Sequence, residues 1–185
     1  MGPQAGFVEA ALDILEVCGK VHVATLTLVI PGGQSAVWGR ERGNMAEQSY
    51  WLVKQEPSDY PWSQLVADGK AVWTGVRNYQ ARNHLRAMQV GDEVAYYHSG
   101  EGREVVGVAR VVKAAYPDPT ADDGDWSCVE LAPVRSLDRA VTLAQFKADA
   151  VLQETVLVKH TRLSVLPLTA AQFRRVMTLG SGRGG

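Results

Sequence analysis

Residues 71–99 read AVWTGVRNYQARNHLRAMQVGDEVAYYHS, and the fold turns on this stretch. A short apolar run ends on Trp73. Thr74-Gly75 follows, where glycine permits a turn or a close backbone approach. Ala81, Leu85 and Met88 then fall at i, i+4 and i+7, which predicts one buried face of a helix from about Tyr79 to Met88. Arg82 and Arg86 lie four apart on a second face. Val90-Gly91-Asp92 reads as a turn into a strand in which Val94, Tyr96 and His98 alternate with Ala95, Tyr97 and Ser99. No acid occurs between Gly69 and Gly91, whereas Lys70, Arg77, Arg82 and Arg86 do. A flat indole, amides, hydroxyls and uncompensated positive charge together suit a flat polar ligand carrying phosphate. The plainer reading makes Trp73 a core residue and the arginines a solvated face.

Outward from that stretch, Tyr50 to Lys54 reads as a buried first strand. Glu56-Pro57-Ser58-Asp59 is a turn, and Trp62 to Ala67 is a short helix stopped at Asp68-Gly69. Downstream, Glu101-Gly102-Arg103 is a hairpin loop. Val105 to Val112 is a strand in which Gly107 marks a bulge or close approach, and Tyr116 to Thr120 breaks it. Trp126 to Pro133 reads as the next strand, and Thr142 caps a helix. Val156 to Val158 is a short strand or extended turn, and Arg162 to Leu166 is the last strand. Thr169 caps a final helix with Phe173, Val176 and Met177 inward. Many short strands with a few short helices point to a closed or strongly curved sheet with helices at its rim.

The chain has 185 residues and a formal net charge of −1. A strongly basic coat for nucleic acid is excluded, so any such contact comes from a local patch. Asp118, Asp122, Asp123 and Asp125 sit together, far in sequence from the basic run, and read as a solvated loop. Residues 1–44 look unlike the rest. Phe7, Ala11, Leu12 and Leu15 fit one amphipathic face, and Val21 to Ile30 fits a strand. Two readings of 1–44 compete, a real extension packing on the domain or translated upstream sequence with Met45 as the natural start, and the second is favoured; a domain is expected over 45–180 and a glycine-rich tail over 181–185. No stretch is long and apolar enough to span a bilayer. No membrane partner is expected on that ground, and Cys18 and Cys128, which suggest no disulfide framework, fit the expected cytoplasmic setting.

There is no Walker loop, HExxH or CxxC. His22, His84, His98 and His160 are not spaced as metal ligands on one helix. Neither a metal nor a cofactor is expected. His98, Ser99 and Ser164 offer a nucleophile and a base, but no GxSxG frame surrounds them. The residues therefore favour a binding module over an enzyme.

The runs YWLVKQEP (50–57), WTGVRNYQARNHLRAM (73–88), VGDEVAYYHS (90–99), GVARVVKAAYPDPTA (107–121) and RLSVLPL (162–168) resemble the EVE domain family in order and spacing, over about Tyr50 to Leu179. The resemblance implies an α+β fold of the PUA-like kind, a curved β pseudo-barrel with peripheral helices, shared with YTH and ASCH domains. It also implies a role with modified bases of the 5-methylcytosine type, so the expected function is a non-catalytic reader of DNA or RNA that carries them, and a monomer is expected. A base taken out of its stack needs a flat apolar wall and fixed polar groups at its edge. On that reading the base-binding set is Lys54, Gln55, Trp73, Val76, Asn78, Tyr97, His98, Ser99 and Ser164. The phosphate-binding set is Arg77, Arg82, Arg86 and Arg162. Trp51 and Trp62 are assigned to the core. Gln55 stands where many members of the family carry serine, a departure that alters which base edge fits. A small nucleotide- or nucleoside-processing hydrolase and a protein-binding adaptor are the alternatives.

Overall fold

The computed structural model describes residues 48–159 and 162–182, together with the pairs Leu28–Val29 and Ser35–Ala36. By internal contacts the chain divides into two units, Met1–Ala46 and Glu47–Gly185. In the first, β1 (Leu28–Val29) pairs antiparallel with β2 (Ser35–Ala36). The face expected from Phe7, Ala11, Leu12 and Leu15 lies outside the described residues, as does most of the strand expected over 21–30.

In the second unit six strands form one mixed sheet, in the order β4-β7-β6-β5-β3-β8. They are β3 (Tyr50–Gln55), β4 (Ala71–Trp73), β5 (Glu93–His98), β6 (Glu104–Pro117), β7 (Ser127–Thr142) and β8 (Val165–Leu168). Every pairing is antiparallel except β3 with β5, which is parallel from Tyr50↔Glu93 to Gln55↔His98. Helices α1 (Trp62–Asp68), α2 (Tyr79–Ala87), α3 (Leu143–Ala148), α4 (Val156–Lys159) and α5 (Ala170–Gly180) lie around it. This is the expected α+β, PUA-like arrangement. Its curvature is helped by the long β6–β7 ribbon, whose register slips four times, since each bulge adds local twist.

Local sequence accounts for most element ends. Gly69 closes α1 in the left-handed region, φ 73°, with its N–H on the carbonyl of Leu65. The Asn78 side chain opens α2 by accepting from the Ala81 N–H. Thr142 with Gln145 and Thr169 with Gln172 form reciprocal capping boxes on α3 and α5. The core is continuous and includes Leu52, Val53, Leu85, Tyr96, Val105 and Phe146. Trp51 and Trp62 are buried in it as expected, and each indole N–H has a partner, Asp92 and Ser136 respectively, at 2.8 Å. Buried Asp92 also accepts from the backbone N–H groups of Ser49 and Gln89. One carboxylate thus ties the entry of β3 to the turn before β5.

The structure corrects several boundaries. Strands β6 and β7 run well past Val112 and Pro133. Beyond those points most residues are exposed or half-buried, and neither Lys113-Ala114-Ala115-Tyr116 nor Arg135-Ser136-Leu137-Asp138-Arg139 shows a clean apolar alternation. Val156 to Val158 forms a helical turn, not a strand. Buried Thr155 donates its hydroxyl to the Leu152 carbonyl at 2.6 Å, which turns the chain there and overrides the β-branched preference. The last strand begins at Val165, not Arg162, and includes Pro167, which an edge strand tolerates. The His84 ring donates from Nδ1 to the Val165 carbonyl at 2.7 Å and so shields that edge.

Gly107 is both a bulge and a close approach. A Cβ there would lie 2.4 Å from the Trp62 indole carbons. We expect Gly107→Ala to push α1 off the sheet and cost about 1–3 kcal/mol, seen as a lower urea midpoint. Combined with Trp62→Leu, the penalty should be smaller than the sum of the two single changes. Strict additivity would disprove the contact.

Candidate functional site

Because β3 and β5 run parallel, their carboxyl ends emerge side by side. The Ser99 N–H donates to the Gln55 carbonyl at 2.8 Å, and the Lys54 N–H donates to the Ser164 carbonyl at 2.8 Å. Three depressions meet at this edge. One, of about 450 Å³, is bordered by Trp73, Gln55, Tyr60, Lys70 and Thr74. A second, of about 400 Å³, takes in Lys54, Gln55, Ser99, Arg162 and Ser164, with Glu56 and Asp59 at its rim. A third, of about 260 Å³, has Lys54, Tyr97, Ser99 and Arg103 on its walls. Six of the nine residues expected to hold a base therefore line depressions that share wall residues, with Arg162 beside them, and Trp73 shares its cavity with Gln55.

Trp73 is only 6% exposed. It makes an edge contact with Tyr96, ring centroids 5.7 Å apart and planes at 86°. It is both a core residue and a cavity wall. Tyr60, which the sequence did not single out, supports this wall. Its hydroxyl donates to Asp68 at 2.6 Å. Burial first, then the bond to Asp68 and that charge, push its phenol up to about 12. Its carbonyl accepts from the Tyr96 hydroxyl. A tyrosine in a turn before proline carries no sequence signal for such a role. Burial lowers the Lys54 ammonium below its ordinary value.

Three expected base contacts are elsewhere. Val76 is buried in the core, and Asn78 spends its carbonyl oxygen capping α2. His98 turns inward. Its Nε2 accepts from the Trp62 N–H at 3.1 Å and its ring packs edge-on against Tyr96. The neutral ring thus carries its proton on Nδ1, and Nε2 is committed to α1 instead of Ser99.

The arginines of α2 are a clearer correction. They are not uncompensated, and the aspartate group is not simply a solvated loop. Asp118, buried between β6 and β7, accepts from the Gly75 N–H at 2.9 Å, from Arg77 Nη1 at 2.7 Å, and from the Thr120 N–H and hydroxyl. Burial raises its carboxyl, but these four bonds outweigh that and hold it well below the usual carboxylate range. Arg82 and Arg86 both pair with Asp125. Arg82 also lies over the Tyr79 ring, which stacks on Trp126 at 5.0 Å between centroids. Sequence distance hid this pairing, because only the fold brings the β6–β7 loop to α2.

A mixed curved sheet whose strand ends open on a polar edge with an indole wall defines a small ligand-binding domain. Residues 49–179 match the EVE domain family, and the chain belongs to it. Thymocyte nuclear protein 1 of Mus musculus is 35% identical over 173 residues, 75% of this chain and 76% of that protein. A crystal structure of a protein from Agrobacterium tumefaciens matches with TM-score 0.70 at 42% identity, over 72% of this chain and 95% of that one. Human THYN1 protein, solved in complex with 5-methylcytosine-containing DNA, matches with TM-score 0.66 at 33% identity, over 74% of this chain and all of that one.

Two measurements check this geometry. Asp118→Ala should cost about 1.5–3 kcal/mol, the worth of hydrogen bonds to a charged group, read as a lower urea midpoint near neutral pH. An unchanged midpoint would remove the cradle. For His98, burial lowers the ring below 6.5, against an opposing pull from Glu104. The unfolded chain then binds the proton more readily, so this contribution is intact above about pH 6.5 and is lost as pH falls through the folded value. His98→Gln keeps an acceptor for the Trp62 N–H and should flatten the stability change between pH 7.5 and 5.5. An equally steep change in the variant would place that proton elsewhere.

Proposed function

We propose that this domain is a non-catalytic nucleic-acid-binding module that reads a modified base, of the 5-methylcytosine type, held out of its stack. The observation that carries the reading is Gln55. It borders both the Trp73 cavity and the polar depression of Lys54, Ser99 and Ser164. A base lying against the indole would have its polar edge within reach of an amide and of strand-end groups. The relative solved with 5-methylcytosine-containing DNA supports the choice of ligand class. The hydrolase alternative needs His98 as a base for Ser99, and that nitrogen already accepts from Trp62. In this reading the partner is DNA or RNA with modified bases, and the module works as a monomer.

The test uses conservative changes, and because Trp73 is also a core residue, binding is read beside stability. Trp73→Phe still stacks, so it should lose only part of the roughly 1–3 kcal/mol per base that stacking supplies. Gln55→Ser should shift the preference for modified over unmodified oligonucleotide about two- to tenfold, the worth of one hydrogen bond. Anisotropy titrations and thermal unfolding on the same preparations would check both. Folded variants that keep the wild-type preference would overturn the assignment.

A further inference from the structure

The Trp73–Gln55 site needs cations for the flanking phosphates, and the α2 arginines are already matched by Asp118 and Asp125. Among the described residues, Arg103 and Arg162 make no ion pair with a carboxylate. They lie in different depressions that share Lys54 and Ser99. Arg103 stands apart for a second reason. It is the one non-glycine residue with positive φ, 48°, among those described. That conformation costs energy for a side chain with a Cβ, and glycine would fit it without strain. The hairpin holds it there: its carbonyl accepts from the Leu143 N–H at 2.8 Å, and its Nε donates to the Gly100 carbonyl at 3.3 Å. Those bonds leave both Nη groups able to face a ligand. Two acids flank this loop, and among the described residues neither forms an ion pair with Arg103. The Glu104 carboxylate lies over Gly102, 3.4 Å from where a Cβ would sit, and Glu56 lies by Gly100.

Resting on the base-reading assignment above, we infer that Arg103 is a second phosphate anchor. The nucleic acid strand crosses the Lys54–Ser99 edge with phosphates on either side of the held nucleotide, one at Arg162 and one at Arg103. The guanidinium fork suits phosphate oxygens, and this contact carries no base information. Arg103 is thus a positioning residue. The strained backbone is retained because it aims the fork at the edge.

The experiment measures binding of a single-stranded oligonucleotide with one 5-methylcytosine, and of its unmodified twin, from about 50 to 200 mM salt. Arg103→Gly should weaken both alike and make the log–log salt slope shallower by about 0.7, the loss of one phosphate contact. Its urea midpoint should hold or rise, because glycine adopts this φ freely. Arg103→Lys should restore the slope, and Arg82→Ala should leave it unchanged. An unaltered slope in folded Arg103→Gly, or a slope lowered only by Arg82→Ala, overturns the anchor and leaves the reader standing. A wild-type protein that binds both oligonucleotides equally overturns the reader, and the slope then decides the anchor alone. A wild-type protein that binds neither overturns both.

Discussion

The parallel pairing of β3 with β5 is the constraint from which the rest of the domain follows. Parallel neighbours cannot be joined by a tight turn, so the chain must make a long crossover between them. Here that crossover carries α1, β4 and α2. Within it, β4 pairs with β7 and ends on Trp73, which borders the same cavity as Gln55 at the end of β3. Asp92 fixes the pairing at one end through Ser49, Trp51 and Gln89. At the other end the Ser99–Gln55 and Lys54–Ser164 backbone bonds hold it. The polar edge is thus a consequence of strand direction, and its groups are held by main-chain geometry before any ligand arrives.

Much of the fold was legible in the sequence because its cues are local. Helix periodicity placed Ala81, Leu85 and Met88, glycine marked the end of α1, and threonine marked the starts of α3 and α5. What failed was what depends on distant partners. The outer half of β7, with its run Arg135-Ser136-Leu137-Asp138-Arg139, looks like a loop until β6 lies beside it. Val156 and Val158 favour a strand until buried Thr155 turns the chain.

The candidate site was legible in part for the same reason. Residues at strand ends, such as Lys54, Gln55, Ser99 and Ser164, could be grouped once the strands were known. Val76, Asn78 and His98 have the right chemistry at the right place in sequence, but each serves the fold. His98 shows why: neighbours along a strand face opposite ways, so it points to Trp62 while Ser99 faces the open edge. Tyr60 was invisible because its role rests on Asp68 and Tyr96, neither of which announces it.

The pairing of the α2 arginines with the β6–β7 loop has a kinetic side. Opposite charges locked together cast little field beyond a Debye length, about 8–10 Å in ordinary salt. With a net charge of −1 over the chain, the domain has weak means of drawing a polyanion from afar. Encounter with nucleic acid then proceeds near the unsteered rate, about 10⁵–10⁶ M⁻¹s⁻¹. On the proposed base-reading function, discrimination would fall to residence time, since related complexes differ mostly in how fast they dissociate.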